Sequence, residues 1–449
     1  MVCTLGILIT GELGITYYVS GSIEQRFREI EALLNENQLV ASEVVSFKRG
    51  FFHSEMVTSV RFKNLPLEKP FQIKHTIFNG PIILQATEAK PIQFKLAVIR
   101  SEPIETTTTH KISFLAITNL LYSGAIESQT AGSAYNVQNG QFQVSGQSWS
   151  SEYSIASDKK SWKGNVIFPQ INLQSMSMNL ALEELQVIFD QSRSPFGNWL
   201  GTVSLTLKNG KEPKENFQLN QLKLVEDSVF REQVIDVFWD LELGKMVLMN
   251  ENYGPFSVKM QVINLDPAGL MLLSNNNGNG YTQEGFEKLL QEFLTKNPKM
   301  MIEPSQINLP QGSIQLDAEL GIGGPDMTFP LNLEQFEKSI NGYFHLLIPK
   351  ELFIEGLTTL FSPGINNDPK NAKLEEAQKK TLLDQQVTQK INKLKQDGIL
   401  IEKDKDYDFK ISIMSGKWVS NGKEVARPFS DNRAPTSQTG GENSIAPIK

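Results

Sequence analysis

The feature that most constrains the fold is the alternation of apolar and polar residues over much of the region from Val44 to Leu265. It is clear in segments such as IQFKLAVI, GTVSLTLKNG and PFSVKMQVINL. A period of two is typical of strands that bury one face. Asn139-Gly140 and Asn209-Gly210 add dipeptides that favour hairpin turns. The pattern therefore predicts a β-dominated α+β fold, with a long, mostly antiparallel, curved sheet and a few amphipathic helices.

The last third of the sequence adds helical patterns to the strands. Phe286, Leu289, Leu290 and Phe293 share one helical face before Asn297-Pro298, and a second helix is predicted within 373–396. YFHLLIPKELFIEGLTTLF predicts a strand that runs into a helix at Pro349. The predicted organisation has five parts: an anchor or signal-like segment (1–20), a juxtamembrane helix (21–43), a β-rich half (44–273), an α+β half (274–428) and a disordered tail (429–449).

The N-terminal segment Met1 to Val19 approaches the ~20 apolar residues that span a bilayer. Glu12 interrupts it, and no Lys or Arg precedes Arg26, although export signals normally begin with a basic region. A start site further upstream would explain that absence, and Val19-Ser20-Gly21 offers a weak cleavage site for a signal peptide. We favour an uncleaved transmembrane helix as the interpretation of this segment.

A dense group of basic and aromatic residues interrupts the strand pattern at VVSFKRGFFHSEMVTSVRF, residues 44–62. Val45 and Phe47 occupy odd positions, whereas the later apolar residues occupy even ones. Such a change of phase needs an inserted residue or a tight turn. Gly50 can accommodate either one, because glycine tolerates a positive φ and close approach of backbone atoms. The candidate residues of this motif are Lys48, Arg49, Gly50, Phe51, Phe52 and His53. We favour a structural role, and the alternative is an anion or lipid-headgroup site formed by Lys48, Arg49 and His53.

Composition and motifs argue against several classes of function. The net charge of −7 argues against nucleic acid as a partner. The single cysteine, Cys3, excludes an intrachain disulfide and a cysteine-based metal site. The four histidines are scattered through the sequence, without metal-ligand spacing, and no nucleophile elbow or phosphate-binding glycine loop occurs. We therefore expect no cofactor, no metal and no catalytic residues.

Several short motifs in their order resemble the YdgA-like family of Gram-negative envelope proteins, a family of unknown function. They are YYVSGSIEQRF, FKRGFFHSE, IKHTIFNGPI, INKLKQDGIL and YDFKISIMSGKWVSNGKE, and they span Tyr17 to Glu424. Within IFNGPI the resemblance singles out Asn79, Gly80 and Pro81, and Asn79 stands where the family commonly has His. The resemblance implies a single-pass inner-membrane anchor and a β-rich body in the periplasm.

These observations lead to a functional expectation with two alternatives. The expectation is a membrane-anchored periplasmic β-scaffold that binds lipid or another apolar envelope component, because a curved sheet covered by helices can enclose an apolar groove. The first alternative is a scaffold that binds envelope proteins, or further copies of itself as a homo-oligomer, through exposed strand edges. The second is a hydrolase whose site is assembled from distant residues. An elongated apolar cavity would favour the expectation of lipid binding over the alternative of a protein scaffold.

Overall fold

The computed structural model describes most of the chain as two compact units. The described residues are 23–25, 28, 40–62, 71–87, 90–104, 110–214, 216–275, 283–323, 338–366, 371 and 374–425. The first unit is formed by residues from Met1–Arg193, Gly201–Lys223 and Val247–Asn250, and the second by residues from Ser194–Leu200, Leu224–Met246 and Glu251–Lys449.

Antiparallel strands dominate the structure, and this confirms the predicted β-rich class. The first strands are β1 (Val40–Lys48), β2 (His53–Phe62), β3 (Phe71–Asn79), β4 (Ile82–Thr87), β5 (Lys90–Phe94), β6 (Ala97–Pro103), β7 (His110–Lys111), β8 (Phe114–Leu120), β9 (Ile126–Gly132), β10 (Tyr135–Asn139), β11 (Phe142–Gly146), β12 (Trp149–Ile155), β13 (Ser161–Gln174) and β14 (Asn179–Arg193). The later strands are β15 (Trp199–Glu212), β16 (Phe217–Arg231), β17 (Val234–Leu248), β18 (Glu251–Tyr253), β19 (Phe256–Leu265), β20 (Lys299–Leu309), β21 (Gly312–Ile322), β22 (Ile340–Pro349), β23 (Leu400–Lys403), β24 (Asp406–Met414), β25 (Lys417–Ser420) and β26 (Lys423–Glu424).

The first unit contains a long antiparallel series of strands. It runs through β1, β2, β3, β6, β8, β9, β12, β13 and β14, each paired with the next. The β4–β5 hairpin forms a separate two-stranded sheet. Alternate residues of the series bury one face, where Met56, Ile77, Ala97 and Leu120 pack around Ile23. The predicted turn at Asn139-Gly140 is confirmed, because Asn139 pairs with Phe142 across a two-residue connection.

The tight turn at Gly50 is confirmed, because residues 49–52 connect β1 to β2 and the core side passes from the odd-numbered Phe47 to the even-numbered Met56 across it. Two other local predictions for the first unit are wrong. Val45 does not share the core side with Phe47, because a β-bulge in β1 between Val44 and Ser46 turns Val45 outward. Asn209-Gly210 is not a turn, since β15 continues through it and the Asn209 side chain donates to Glu183 Oε2 at 2.9 Å.

The second unit combines an antiparallel sheet with helices. Its strands β19, β20, β21, β22 and β24 pair in that order, and β23 and β25 also pair with β24. The helices are α1 (Pro267–Asn275), α2 (Gln283–Leu294), α3 (Lys350–Asn366) and α4 (Glu376–Gln396). The predicted strand-to-helix change after Pro349 is confirmed at the β22–α3 junction. A reciprocal pair of hydrogen bonds between Glu375 and Gln378 caps α4.

The core of the second unit lies between its helices and sheet. Val387, Ile391 and Leu394 of α4 are buried, as the helical period of residues 373–396 predicts. They pack in one cluster with Phe353 of α3 and Phe409 of β24. The amphipathic pattern of this region therefore reflects a helix that covers a sheet.

Several sequence predictions lie outside the described residues. They include the anchor at 1–20, most of the predicted juxtamembrane helix at 21–43 and the tail at 429–449. Within the range of that helix, residues 23–25 and 28 are helical, whereas residues 40–43 belong to β1. Among the residues that the structure does describe, no helix is both long and apolar enough to cross a membrane.

Candidate functional site: a cavity on one face of the first unit

A cavity of about 330 Å³ lies on the core-facing side of the first unit. Its wall is built from alternate residues of seven consecutive strands of the long series, together with Ile23, and we call this surface the cavity face. The lining residues are Ile23, Ser42, Val44, Thr58, Val60, Ile73, His75, Ile99, Ser101, Phe114, Ala116, Thr118, Leu120, Ile126, Ser128, Thr130, Tyr153 and Ile155.

The strand register explains how residues so far apart in sequence share one wall. Directly opposed residues in an antiparallel sheet lie on the same face. The pairings Met56↔His75, His75↔Ser101, Ser101↔Ala116 and Ala116↔Thr130 form one continuous row across five strands. The alternation that predicts the strands therefore also assembles the wall of the cavity.

The wall is mainly aliphatic and aromatic, with a minority of hydroxyl groups. Many hydroxyls on the face are already hydrogen-bonded to protein, as in the 2.8 Å contact between Thr118 Oγ1 and Ser128 Oγ. A hydroxyl with a protein partner adds little cost to apolar contact, because its polar atom stays satisfied. The cavity is thus suited to an apolar group, with a few positions that can accept or donate a hydrogen bond.

His75 is the most polar group on the cavity face. Its side chain is held between two neighbouring strands, with Nε2 at 2.8 Å from Thr58 Oγ1 and Nδ1 at 2.7 Å from Ser101 Oγ. The residue is only 8% exposed, and burial lowers the pKa of His75 from 6.5 to about 4. At neutral pH the imidazole is therefore uncharged, with one nitrogen that donates and one that accepts.

An aromatic ladder closes one end of the cavity face. Phe114 lies between Phe71 and Trp149, with ring centroids 6.2 Å from each, and Trp149 stacks on Phe168 at 5.8 Å. Gly132 makes this stacking possible, because a Cβ at that position would come within 2.0 Å of the Trp149 indole. Four strands therefore each contribute one ring to this aromatic boundary.

The motif residues Lys48 to His53 and Asn79 to Pro81 come together, but they lie outside this cavity wall. The Asn79 amide donates to the carbonyl oxygens of Gly50 at 3.2 Å and Phe51 at 3.0 Å, and its backbone N–H donates to Phe52 at 2.8 Å. Asn79 is 3% exposed. The contacts support a structural role for this motif, since the buried amide holds the β1–β2 turn against the end of β3.

The glycines of these two motifs are required by close approach of backbone atoms. A Cβ on Gly50 would lie 1.8 Å from the His53 carbonyl oxygen, and one on Gly80 would lie 1.8 Å from the Lys95 carbonyl oxygen. The side chains of Lys48, Arg49 and His53 are exposed. The structure therefore places the three basic candidates on the surface at the β1–β2 turn.

Sequence reasoning missed the most polar part of the cavity face, which is His75 with Thr58 and Ser101. A signal for it was present in IKHTIFN, where His75 occupies the same alternating positions as Ile73 and Ile77. A polar residue in the apolar phase of a strand must find a partner when the face is buried. That partner could not be identified, because β2 and β6 meet β3 only through the tertiary fold.

A second histidine is part of an ion-pair network in the second unit. His345 Nδ1 lies 2.8 Å from Asp317 Oδ1, and its Nε2 lies 3.0 Å from Asp408 Oδ1. Burial alone would raise the pKa of Asp408, but a hydrogen bond from Lys403 and the charges of Lys410, Lys403 and His345 lower it below its usual value. Within the described residues no group of three or more His, Cys, Asp or Glu side chains is placed to hold a metal ion.

The fold and the cavity define a class of protein: a β-rich, two-unit protein whose first unit encloses a mainly apolar cavity beside a neutral, buried histidine. The family model described as "Bacterial protein of unknown function (DUF945)" matches residues 1–428, and the chain belongs to that family. No curated protein and no solved structure matches the chain.

Proposed function

We propose that this protein binds an acyl chain, or a similar apolar part of an envelope lipid, on the cavity face of its first unit. The proposal extends to the YdgA-like branch of the family and to its setting: a single-pass anchor in the bacterial inner membrane and a body in the periplasm. The observation that carries it is the 330 Å³ cavity, lined by one face of seven strands and dominated by apolar side chains. Binding pockets for small ligands begin at about 300 Å³.

The size of the cavity sets the affinity that such a ligand could reach. Each methylene removed from water contributes about 0.8 kcal/mol, so a buried segment of about ten methylenes gains roughly 8 kcal/mol before the costs of ordering the ligand. The hydrogen-bonded hydroxyls reduce the apolar area that the wall offers to a ligand. Their polar atoms keep their protein partners and are not left unpaired when an acyl chain binds. An acyl chain is therefore a better match to this surface than a polar metabolite, which would need many more hydrogen-bonding groups.

His75 supports binding better than hydrolysis. A serine near a histidine is the first requirement of a nucleophilic hydrolase, and Ser101 meets it geometrically. A general base works best when its pKa is near the working pH, whereas burial lowers the pKa of His75 to about 4. We therefore assign His75 a structural role in the wall, because its two ring nitrogens are occupied by Thr58 and Ser101.

Native mass spectrometry of the full chain extracted from membranes tests this proposal. The expected spectrum contains a lipid adduct that survives detergent removal. Ala116→Phe places a ring in the cavity and should abolish the adduct. Ala131→Phe is the matched control, because Ala131 lies in β9 on the opposite face of the same sheet and is exposed. It should keep the adduct.

Two results would contradict the proposal. The first is a spectrum without any lipid adduct in the wild-type chain. The second is an adduct that persists at equal intensity in Ala116→Phe, which would put the lipid elsewhere. Oligomers that appear in the same spectrum without lipid would instead support the alternative of a protein scaffold.

A further inference from the structure

Several connections at one end of the first unit's sheet carry exposed, large apolar side chains. The connections are the β1–β2 turn, the segment from β3 to β6 and the β8–β9 turn, and they meet at the same end because the strands are antiparallel. Phe52 is 65% exposed and Phe94 is 68% exposed. We call this surface the apolar tip and define it by Phe52, Ile82, Ile92, Phe94 and Tyr122.

The β4–β5 hairpin of the tip turns apolar residues outward. Its inner face places Ile83 in a buried cluster with Val98, and Gln93 is buried as well. The neighbouring residues Ile92 and Phe94 lie on the outer face and are exposed. A hairpin that served only to cover the sheet would show the reverse pattern, with its polar residue outside. The outer face is therefore suited to an apolar environment.

Hydrogen bonds hold the connections of the tip together. Besides the Asn79 contacts with the β1–β2 turn, the Tyr122 hydroxyl donates to the Pro81 carbonyl oxygen at 2.6 Å. The Gly80 N–H donates to the Leu96 carbonyl oxygen at 2.7 Å. The exposed side chains are thus presented by a braced surface, which costs little further ordering when it binds.

Two exposed basic residues lie beside the aromatic residues of the tip. Lys48 and Arg49 come shortly before Phe51 and Phe52 in the sequence, although the chain carries a net charge of −7. Basic residues beside exposed aromatic residues are the combination that binds the headgroup region of an anionic bilayer.

The path of the chain brings this end close to the proposed anchor. Ile23 packs against Ala97 and Leu120, the residues at which β6 begins and β8 ends beside the tip. Val19, the last residue of the apolar segment, lies only four residues before Ile23 in the sequence. Four residues reach at most about 14 Å. An anchor at 1–19 therefore keeps this end of the first unit near the membrane surface.

We propose that the apolar tip inserts into the interfacial layer of a bilayer that contains anionic lipid, with Lys48 and Arg49 at the headgroups. This inference rests on the membrane location in the proposed function. It adds an orientation, in which the end of the sheet next to Ile23 faces the lipid from which the cavity would be filled.

Depth-dependent fluorescence quenching in nanodiscs tests the inference with the full chain. Cys3→Ser removes the native thiol, and an environment-sensitive dye is attached at Phe52→Cys, Phe94→Cys or Met176→Cys. Met176 is the matched control, because it is 72% exposed and lies beyond the far end of β13 from the tip. Nanodiscs contain either phosphatidylcholine alone or added phosphatidylglycerol, with spin-labelled acyl chains as quencher.

The expected result is strong quenching at positions 52 and 94 in anionic discs and none at position 176. Lys48→Glu combined with Arg49→Glu removes two favourable charges and should weaken insertion at least about 30-fold, the equivalent of about 1 kcal/mol per charge. Quenching equal at all three positions, or independent of anionic lipid, would overturn the inference. A blue-shifted dye without lipid quenching would place protein on the tip and would overturn it as well.

The same samples separate this inference from the proposed function. Co-elution of the chain with nanodiscs reports the membrane location, and lipid retained after detergent extraction reports the cavity. Co-elution without quenching at positions 52 and 94 would leave the anchor in place and refute the tip. Failure to co-elute would refute the membrane location and with it the tip, and the retained lipid would still report on the cavity.

Discussion

Lowering the pH from 7 to 5 should lower the free energy of opening of the strands around His75 by about 2 kcal/mol. The folded state holds this imidazole neutral, because burial lowers the pKa of His75 from 6.5 to about 4. Between pH 6.5 and about 4, the imidazole of residue 75 therefore takes up a proton more readily in the unfolded chain than in the folded chain. The stability that His75 contributes is therefore complete above pH 6.5 and is lost as the pH falls towards 4, with a total loss of roughly 3 kcal/mol.

Hydrogen exchange with mass spectrometry measures this effect locally. Peptides from β2, β3 and β6 report the free energy of opening around His75, after correction for the intrinsic exchange rate at each pH. A loss of about 2 kcal/mol corresponds to roughly 30-fold faster exchange at pH 5 than at pH 7. His75→Gln keeps an amide that can bond to Thr58 and Ser101 but cannot titrate, so most of the pH dependence should disappear.

His53→Gln is the control for this prediction. His53 begins the strand next to β3 and is exposed, so its replacement should leave the pH dependence of the same peptides unchanged. Equal pH dependence in wild type and His75→Gln would contradict this prediction, because the titrating group would then lie elsewhere.

Three further substitutions test the contacts that hold each unit together. Gly50→Val should lower the free energy of unfolding by about 1 to 3 kcal/mol through the clash with the His53 carbonyl, whereas Gly356→Ala, where a Cβ meets nothing within 4 Å, should be neutral or slightly stabilising in thermal melts. Asn79→Asp should destabilise the first unit more than Asn79→Ala in urea titrations, because a carboxylate repels the Gly50 and Phe51 carbonyl oxygens that the amide binds. Lys403→Gln should lower the melting temperature of the second unit at pH 7, since Asp408 is buried and loses an ion-pair partner at 2.7 Å, and exposed Lys405→Gln is the control. Equal shifts for Lys403→Gln and Lys405→Gln would show that the ion pair contributes nothing measurable.

The alternating pattern predicted the class of fold because a period of two determines which residues share a face. Helical periodicity and the apolar run through Pro349 likewise predicted helix α4 and the β22–α3 junction, because both depend on residues that are close together in the sequence. The turn predicted at Asn209-Gly210 was wrong, because the long strand β15 continues through this dipeptide. The bulge at Val45 was not predicted, because Val44 and Val45 are both apolar and their sequence does not show which of them faces the core.

The cavity face was harder to predict than the strands that form it. Its residues come from seven strands, and their neighbours are determined by which strands pair, a property that periodicity does not contain. His75 shows the limit clearly. Its position in the apolar phase of β3 was visible in the sequence, but Thr58 and Ser101 become its partners only through the β2–β3 and β3–β6 pairings.

Photo-crosslinking in native membranes shows whether an acyl chain occupies the cavity. Cells are supplied with a fatty acid that carries a diazirine near the end of its chain, which is incorporated into envelope lipids, and the crosslinked full-length protein is digested and mapped. The expected crosslinks fall on cavity-face residues in β2, β3, β6 and β8, are lost in Ala116→Phe and are retained in Ala131→Phe. Crosslinks confined to residues 1–22 and the apolar tip, or unchanged by Ala116→Phe, would contradict the claim that the cavity holds an acyl chain.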